Sequence, residues 1–344
     1  MIEQRDIVIA GGGMVGISLA LQLAACLPED RRITLVEGFA LPPPAPGGRP
    51  DYHPSFDARS TALSYSTRLV YESIGIWPEL TRWLCPIETI HVSNRGRFGS
   101  TVLQAADYDW PALGYVVENA WLGNSLIQQL HRQQRVELLC PAKVIAAEPR
   151  TSGLDLTLEG EQTRQINAQL LVVADGAGSG LREALGVSVA EKPYRQLALI
   201  ANVAFARPHE GCAFERFTDE GPLALLPLPG VAGAEHRSAL VGTLPPARAK
   251  QLQDCDDEEF LGALQDRFGY RLGRLRQVGE RHTYPLALTE STEQVRHSVV
   301  VMGNAAHALH PVAGQGYNLA MRDVAELARV LDEAIRASEA PGSL

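Results

Sequence analysis

A short apolar strand that runs straight into glycines restricts this fold more than any other feature. Asp6–Ala10 (DIVIA) reads as a buried strand, and Gly11-Gly12-Gly13-Met14-Val15-Gly16 follows without a break. From Met14 to about Leu27, leucines at 19, 23 and 27 keep i, i+4 spacing and Pro28 closes the segment, so it reads as a helix. Ile33–Val36 (ITLV) is a second buried strand. A strand–helix–strand unit of this size implies a parallel sheet. The glycine motif therefore has the context it needs. Gly11 permits a tight turn, Gly13 lets backbone approach a pyrophosphate, and Gly16 allows close helix–strand contact. Met14 and Val15 open a helix whose partly positive N-terminus favours a diphosphate. Glu37 ends the second strand, 21 positions after Gly16. A carboxylate there accepts from ribose hydroxyls and repels a 2′-phosphate, which points to FAD or NAD and away from NADP as the bound dinucleotide.

The same signature returns twice. Leu170–Ala174 (LLVVA) runs into Asp175-Gly176, with a helix beginning near Ser179. Ser298–Met302 (SVVVM) runs into Gly303-Asn304-Ala305-Ala306-His307, then Pro311, Gly314-Gln315-Gly316 and a helix from Tyr317. Taken singly, an Asp-Gly pair after a strand is a turn signal and no more. Leu41–Pro50 is rich in Pro and Gly and reads as a surface loop. Residues 87–118 and about 190–285 instead show short alternating runs such as Ala198–Phe205 and Leu223–Leu228, which fit mostly antiparallel strands. The expected fold is α/β: a discontinuous Rossmann-like domain with a parallel sheet (1–70, 119–185 and 286–344) and an inserted, mainly antiparallel β-sheet substrate domain (71–118 and 186–285).

Composition narrows the function. A formal charge of −9 offers no basic face for a nucleic acid. The five cysteines are scattered with no C-x-x-C pair, as expected of isolated thiols in a reducing cytoplasm. The N-terminus enters a strand at once, without a signal peptide, and no apolar run nears the roughly 20 residues that span a bilayer. The best, Leu197–Ala206, carries Asn202. A soluble, cytoplasmic chain is expected. His307 and His310 have H-x-x-H spacing but lack a third ligand nearby, so no metal is expected. Leu327, Leu331 and Ile335 read as helix core. Phe214, Phe217 and Tyr194 fit a substrate pocket and core packing equally. No G-x-S-x-G hydrolase elbow is present.

Together, the first glycine motif, the Asp-Gly segment and GNAAHALHPVAGQGYNLAMRD resemble the class A FAD-dependent aromatic hydroxylases, relatives of p-hydroxybenzoate hydroxylase. The resemblance spans nearly the whole chain. FDARSTAL (Phe56–Leu63) and AFERFTDEGPLALLPLP (Ala213–Pro229) are most similar to the ubiquinone-pathway branch, which acts on substrates such as 2-polyprenyl-6-methoxyphenol. The resemblance implies that Glu37 holds the adenosine ribose and that Arg59 approaches the flavin and pyrophosphate, with Arg59 and Pro311 as candidates beside the reacting ring. It implies that Asp175-Gly176 lies near FAD and the nicotinamide approach. Asn304, where most of the family has Asp, would meet the ribityl chain after Gly303, while Gly314, Gln315 and Gly316 would line the isoalloxazine. Independently of resemblance, backbone N–H groups at Gly316, Tyr317 and Asn318 on a helix N-terminus would stabilise negative charge on reduced flavin.

The implied reaction is ring hydroxylation of a lipophilic phenol to the benzoquinol, with FAD as cofactor, NAD(P)H and O2 as co-substrates, and a C4a-hydroperoxyflavin as oxygen donor. The implied surroundings are other quinone-biosynthesis proteins or a lipid carrier, with peripheral contact to the inner membrane. Other readings are a sister quinone-pathway or phenol hydroxylase, a reductase of isoprenoid double bonds, and a silent flavin-binding scaffold in a biosynthetic complex. The W-x-W-x-I-P signature of the halogenase branch is absent. The family pattern also implies a closing helical segment beyond Leu344.

Overall fold

The computed structural model describes residues 3–43 and 59–343. The parallel part of its first sheet is built from β1 (Glu3–Ala10), β2 (Ile33–Val36), β3 (Val136–Leu139), β4 (Arg164–Val173) and β5 (Val299–Val301), in the spatial order β3-β2-β1-β4-β5, with Val295–Arg296 as an antiparallel edge beside β5. Helix α1 (Met14–Cys26) joins β1 to β2, and α2 (Asn119–Arg132) precedes β3. This is a doubly wound order whose direction reverses between β1 and β4, where such sheets bind their ligands. The strands are apolar on both faces because both are covered. Ile7 and Ile9 of β1 enter the core shared with α1, α2 and α3 (Gln315–Arg336), while Val8 and Ala10 enter another beneath an antiparallel hairpin, Lys143–Arg150 and Gly153–Glu159. That hairpin continues into β4 and went unread in the sequence, its alternation diluted by charged residues on the exposed face.

The second sheet takes its strands in the order His307–Ala308, His282–Ser291, Val189–Phe205, Arg237–Leu244, Pro222–Leu228, Cys212–Phe217, Thr89–Asn94 and Ser100–Gln104. One pairing on this path, Cys212–Phe217 with Thr89–Asn94, is parallel; the rest are antiparallel. One face is buried under helices Pro246–Asp254 and Asp257–Phe268, where Phe214 meets Phe268 edge-on at 5.4 Å, so Phe214 is core. The other face packs through Ala213, Leu228 and Ala239 on a three-stranded sheet, Ser60–Ser64, Gly114–Glu118 and Cys85–Ile87.

The boundary expected at residue 71 moves. Tyr71, Ile74, Ile76, Trp77 and Leu80 pack into the same core as Ile7 and Leu23, from helices Tyr65–Ser73 and Trp77–Leu80 and the turn between them. Of the Leu41–Pro50 loop, only residues 41–43 are described, without regular structure. Phe56, Asp57 and Ala58 of the FDARSTAL segment lie outside the described residues. Leu331 and Ile335 are buried in the α3 core, with Leu327 packed against it.

Two polar devices hold α3 in place. Buried Asn318 accepts from Ser64 N–H and Thr67 Oγ1 at 2.8 Å each, and donates to the carbonyls of Ala62 (2.8 Å) and Gly314 (3.0 Å). Further along, His307 Nε2 lies 3.2 Å from Asp323 Oδ2, tying the edge of the second sheet to α3. Hydrogen bonding to Asp323 raises the His307 pKa above its usual range, against the opposing effect of burial.

A raised histidine pKa stabilises the fold fully below the unfolded value of about 6.5, and that stability is lost as pH rises through the folded value. Asp323→Asn is therefore expected to cost at most about 1 kcal/mol near pH 6 and progressively less by about pH 8.5, since the carboxylate is half exposed. Denaturant titrations across that range measure the difference. A cost that does not change with pH would remove the ion pair as its cause.

Candidate functional site

The parallel register brings three glycine turns together. Ala10 pairs with Val173, and Val173 with Val301, so the turns at Gly11, Asp175-Gly176 and Gly303-Asn304 leave neighbouring strand ends on one edge of the sheet. Gly11 has φ +114°, and a Cβ there would stand 2.4 Å from the Ala174 carbonyl oxygen and 2.8 Å from Asp175 Cα. A Cβ on Gly16 would lie 1.8 Å from the Gly11 carbonyl oxygen. Both contacts exclude any side chain, so α1 sits directly on the turn. Gly13 is the N-cap of α1 and supplies no capping side chain, which leaves the first-turn N–H groups to a ligand.

Glu37 closes the pocket at the end of β2. Its carboxylate is buried and accepts from Gly12 N–H at 2.5 Å and from Phe39 N–H at 2.8 Å. Each carboxylate oxygen has a second lone pair, so both still have capacity for ribose hydroxyls. Asp175, on the adjoining turn, keeps a buried Oδ1 with no hydrogen-bond partner among the described residues. Burial raises its pKa, partly offset by hydrogen bonding to Ser179. A buried acceptor left unmatched beside the glycine turn fits a site completed by a ligand donor.

Arg182 has no signal in the sequence. Its guanidinium is buried and donates to the Ala305 carbonyl at 2.9 Å, locking the turn after β4 to the turn after β5. Gly303 (φ +61°) lies against Val15, and Asn304 beside it is exposed. Met14 and Val15 are both half-buried at the start of α1, and Met14 O accepts from Ser18 Oγ.

The third turn begins α3 at Gln315, two residues before the expected Tyr317. Gly314 is left-handed (φ +58°) and, as the N-cap, supplies no side-chain hydrogen bond; a Cβ on it would come 3.4 Å from Ala62 Cβ, while a Cβ on Gly316 would meet open space. Pro311 begins the short turn into it, its carbonyl accepting from Gly314 N–H at 3.0 Å. The side chains of two of the expected residues are engaged inside the protein. The Asn318 amide is fully engaged inside the protein, and the Tyr317 hydroxyl bonds the Tyr71 hydroxyl in the core, where burial pushes its pKa up to about 12. What these positions can offer a ligand is backbone N–H at a helix N-terminus. The two histidines diverge: His307 turns to Asp323, and His310 packs edge-on against Tyr194 at 5.0 Å.

Arg59 reaches the second sheet, its guanidinium 5.1 Å from the centre of the Tyr284 ring. Tyr284 pairs with Ala198, and the next row of the same face runs Ile200, Val241, Ala224, Glu215 and Val92 across five strands. Strand alternation puts this row opposite the helix-covered face. Each of its members is only half-buried. Glu215 is the acid in an otherwise apolar row, and no hydrogen bond or ion pair is recorded for it among the described residues. Burial raises its pKa. It stands in the AFERF stretch, a signal present in the sequence but not readable as a site without the sheet.

Comparison with known proteins identifies the scaffold. A family model described as an FAD binding domain matches residues 59–344. The chain belongs to this FAD-binding family. Ubiquinone hydroxylase UbiL of Rhodospirillum rubrum is 35% identical over 98% of this chain and 75% of its own length. The 3-demethoxyubiquinol 3-hydroxylase of Escherichia coli is 31% identical over 98% and 82%. Among solved structures, the PqsL mutant of Pseudomonas aeruginosa superposes with a TM-score of 0.80 at 22% identity, covering 98% of this chain and 89% of its own. Membership makes the chain a flavin-dependent aromatic-ring monooxygenase that uses FAD, NAD(P)H and dioxygen. The glycine turns, Glu37 and the unmatched Asp175 oxygen all fit a bound dinucleotide.

Glu37→Gln places an amide donor where two backbone N–H groups need an acceptor. It is expected to weaken FAD binding by about 1.5–3 kcal/mol, roughly ten- to a hundredfold. Calorimetric titration of apoprotein with FAD measures this, and unchanged affinity would take Glu37 out of the site.

Proposed function

We propose that the chain hydroxylates the ring of a polyprenylated phenol in ubiquinone biosynthesis, converting a 2-polyprenyl-6-methoxyphenol to the benzoquinol. The observation that carries this reading is the half-buried apolar row with one carboxylate, Glu215, on the sheet face that Arg59 and Tyr284 share. An apolar floor suits a lipophilic ring, and a carboxylate with no counter-charge among the described residues suits a phenol O–H. The names of the relatives, hydroxylases of ubiquinone and of demethoxyubiquinol, support the same pathway.

FAD, when bound, takes reducing equivalents from NAD(P)H and delivers one oxygen atom of dioxygen to the ring. The protein's own part is smaller and physical. Glu37 and the amides of α1 anchor the adenosine and diphosphate; Asn304 meets the ribityl chain; the amides at Gly316–Asn318 stabilise charge on the flavin edge. Glu215 accepts the phenol proton, which raises electron density on the ring carbon that is attacked. Its raised pKa brings it nearer the phenol's own and makes it a better acceptor than an exposed carboxylate. Arg59 and Pro311 bound the ring from the cofactor side. Such a substrate implies a protein working at the periphery of a membrane, and no helix of the described residues is long and apolar enough to cross one.

A sister reaction at another ring position is the reading next in line, since the E. coli relative's name specifies a different step. Turnover of a short-tailed methoxyphenol under labelled dioxygen, with mass spectrometry of the product, separates the readings. Label on the ring at the position para or ortho to the hydroxyl identifies the step. Label only in peroxide or water across a panel of phenols would overturn ring hydroxylation. Glu215→Gln is expected to lower coupling of NAD(P)H oxidation to product about 10²-fold or more while FAD affinity stays unchanged. Full coupling in that variant would remove Glu215 from the reaction.

Asn304 is tested separately. Asn304→Asp should hold FAD within a few-fold, and Asn304→Ala should cost about 1 kcal/mol of affinity. Wild-type affinity in the alanine variant would end its assignment to the ribityl chain.

A further inference from the structure

The strand that carries Glu215 ends two residues later at Phe217, about 7 Å further along the same face. Beyond it the second sheet finishes in a rim of unusual character for a chain of charge −9. The hairpin Thr89–Asn94 to Ser100–Gln104 turns there, and its tip holds Arg95, Arg97 and Phe98. Arg95 N–H donates to the Phe217 carbonyl at 2.8 Å, so the tip is fixed to the strand. Behind it, Arg216 donates to Ser93 Oγ at 3.2 Å and Arg271 reaches the same oxygen at 3.5 Å.

Four guanidinium groups therefore crowd one end of the sheet. Among the described residues, Asp219 is paired with Arg95 at 3.2 Å and Glu220 is already held by Arg248 and Arg267, while Asp266 lines a shallow cavity with Tyr270. Partial burial and then the charges of Arg271 and Arg95 pull the Arg216 pKa down, which reports mutual repulsion in the cluster. Phe98 is fully exposed, and Tyr270, beside Arg271, is 65% exposed. The edge strand Ser100–Gln104 is exposed at every position, with Val102 and Leu103 among the exposed apolar side chains.

We propose that this rim, centred on Arg97, Arg271 and Phe98, docks the protein on an anionic phospholipid surface. Guanidinium groups pair with headgroup phosphates, and exposed aromatic side chains seat at the headgroup–acyl boundary. The acidic remainder of the chain is repelled by the same surface, which orients the molecule. A second copy of the chain is a poorer occupant, because a two-fold contact would set the arginines of one rim against those of the other. The lipophilic substrate class of the previous section supplies the motive for docking, but the docking itself is measured without turnover.

The test is co-sedimentation of the FAD-loaded, full-length protein with phosphatidylcholine vesicles, with and without a minority of phosphatidylglycerol. Binding is expected only to the anionic vesicles and should fall as salt is raised. Each arginine lost should weaken it about fivefold, so Arg97→Glu with Arg271→Glu should lose at least about 25-fold. Phe98→Ser should lose several-fold at every salt concentration. The control is Arg329→Glu with Arg336→Glu on the exposed face of α3, which makes the same change in net charge away from the rim and should retain wild-type binding. Equal loss in the control would reduce the effect to net charge and overturn the proposal, as would equal binding to neutral vesicles. A dimer in gel filtration that the rim variants dissolve would assign the rim to a second copy instead. Unchanged flavin content and turnover of a short-tailed, water-soluble phenol in the rim variants keep this outcome apart from failure of the hydroxylase reading.

Discussion

The absence of side chains at Gly11 and Gly16 is the contact on which the site rests. With a Cβ on Gly16 the atoms would stand 1.8 Å apart, far inside any tolerable separation, so α1 can rest on the first turn only because both positions are bare. That seating sets the direction of α1 and its open amides. It also lets the first turn press against the Ala174 carbonyl and so against the second turn. The parallel register then carries the alignment to the third. One steric condition at the first turn thereby fixes three segments drawn from distant parts of the chain.

Electrostatics follow from the same geometry. Among the described residues, the glycine turns present the buried carboxylate of Glu37 and the half-buried one of Asp175, and the buried cation beside them, Arg182, is spent on carbonyl groups. What the described residues offer negative charge at these turns is backbone N–H at two helix N-termini, α1 and α3. Partial charges held rigidly need no reorganisation when flavin charge changes during turnover. The Asn318 amide, bonded four times inside the protein, is what makes the second of these termini rigid.

Much of the cofactor end was legible in the sequence because its chemistry is local. A strand, three glycines, a helix and an acid follow within the first forty residues, and each demand is met by residues close in the chain. The substrate end was not legible for the opposite reason. The row of Ile200, Val241, Ala224, Glu215 and Val92 exists only as a line across five strands, and alternation within any single strand does not say which face is left uncovered. Tyr71 packed with the first core, although the run around it suggested the other domain, because its partner Tyr317 lies 246 residues away.

The sequence by itself determined the parallel α/β unit, the glycine turn and the acid at the end of the second strand, since steric and hydrogen-bonding limits on neighbouring residues admit few alternatives. Tertiary structure alone decided which side chains were used up and which remained. It closed Asn318 and Tyr317 into the core, turned His307 toward Asp323 and His310 toward Tyr194, and left Glu215 with no counter-charge among the described residues on a half-covered face. Whether a polar group serves the fold or a ligand depends on the partners that packing brings within about 3 Å, and no local pattern encodes those partners.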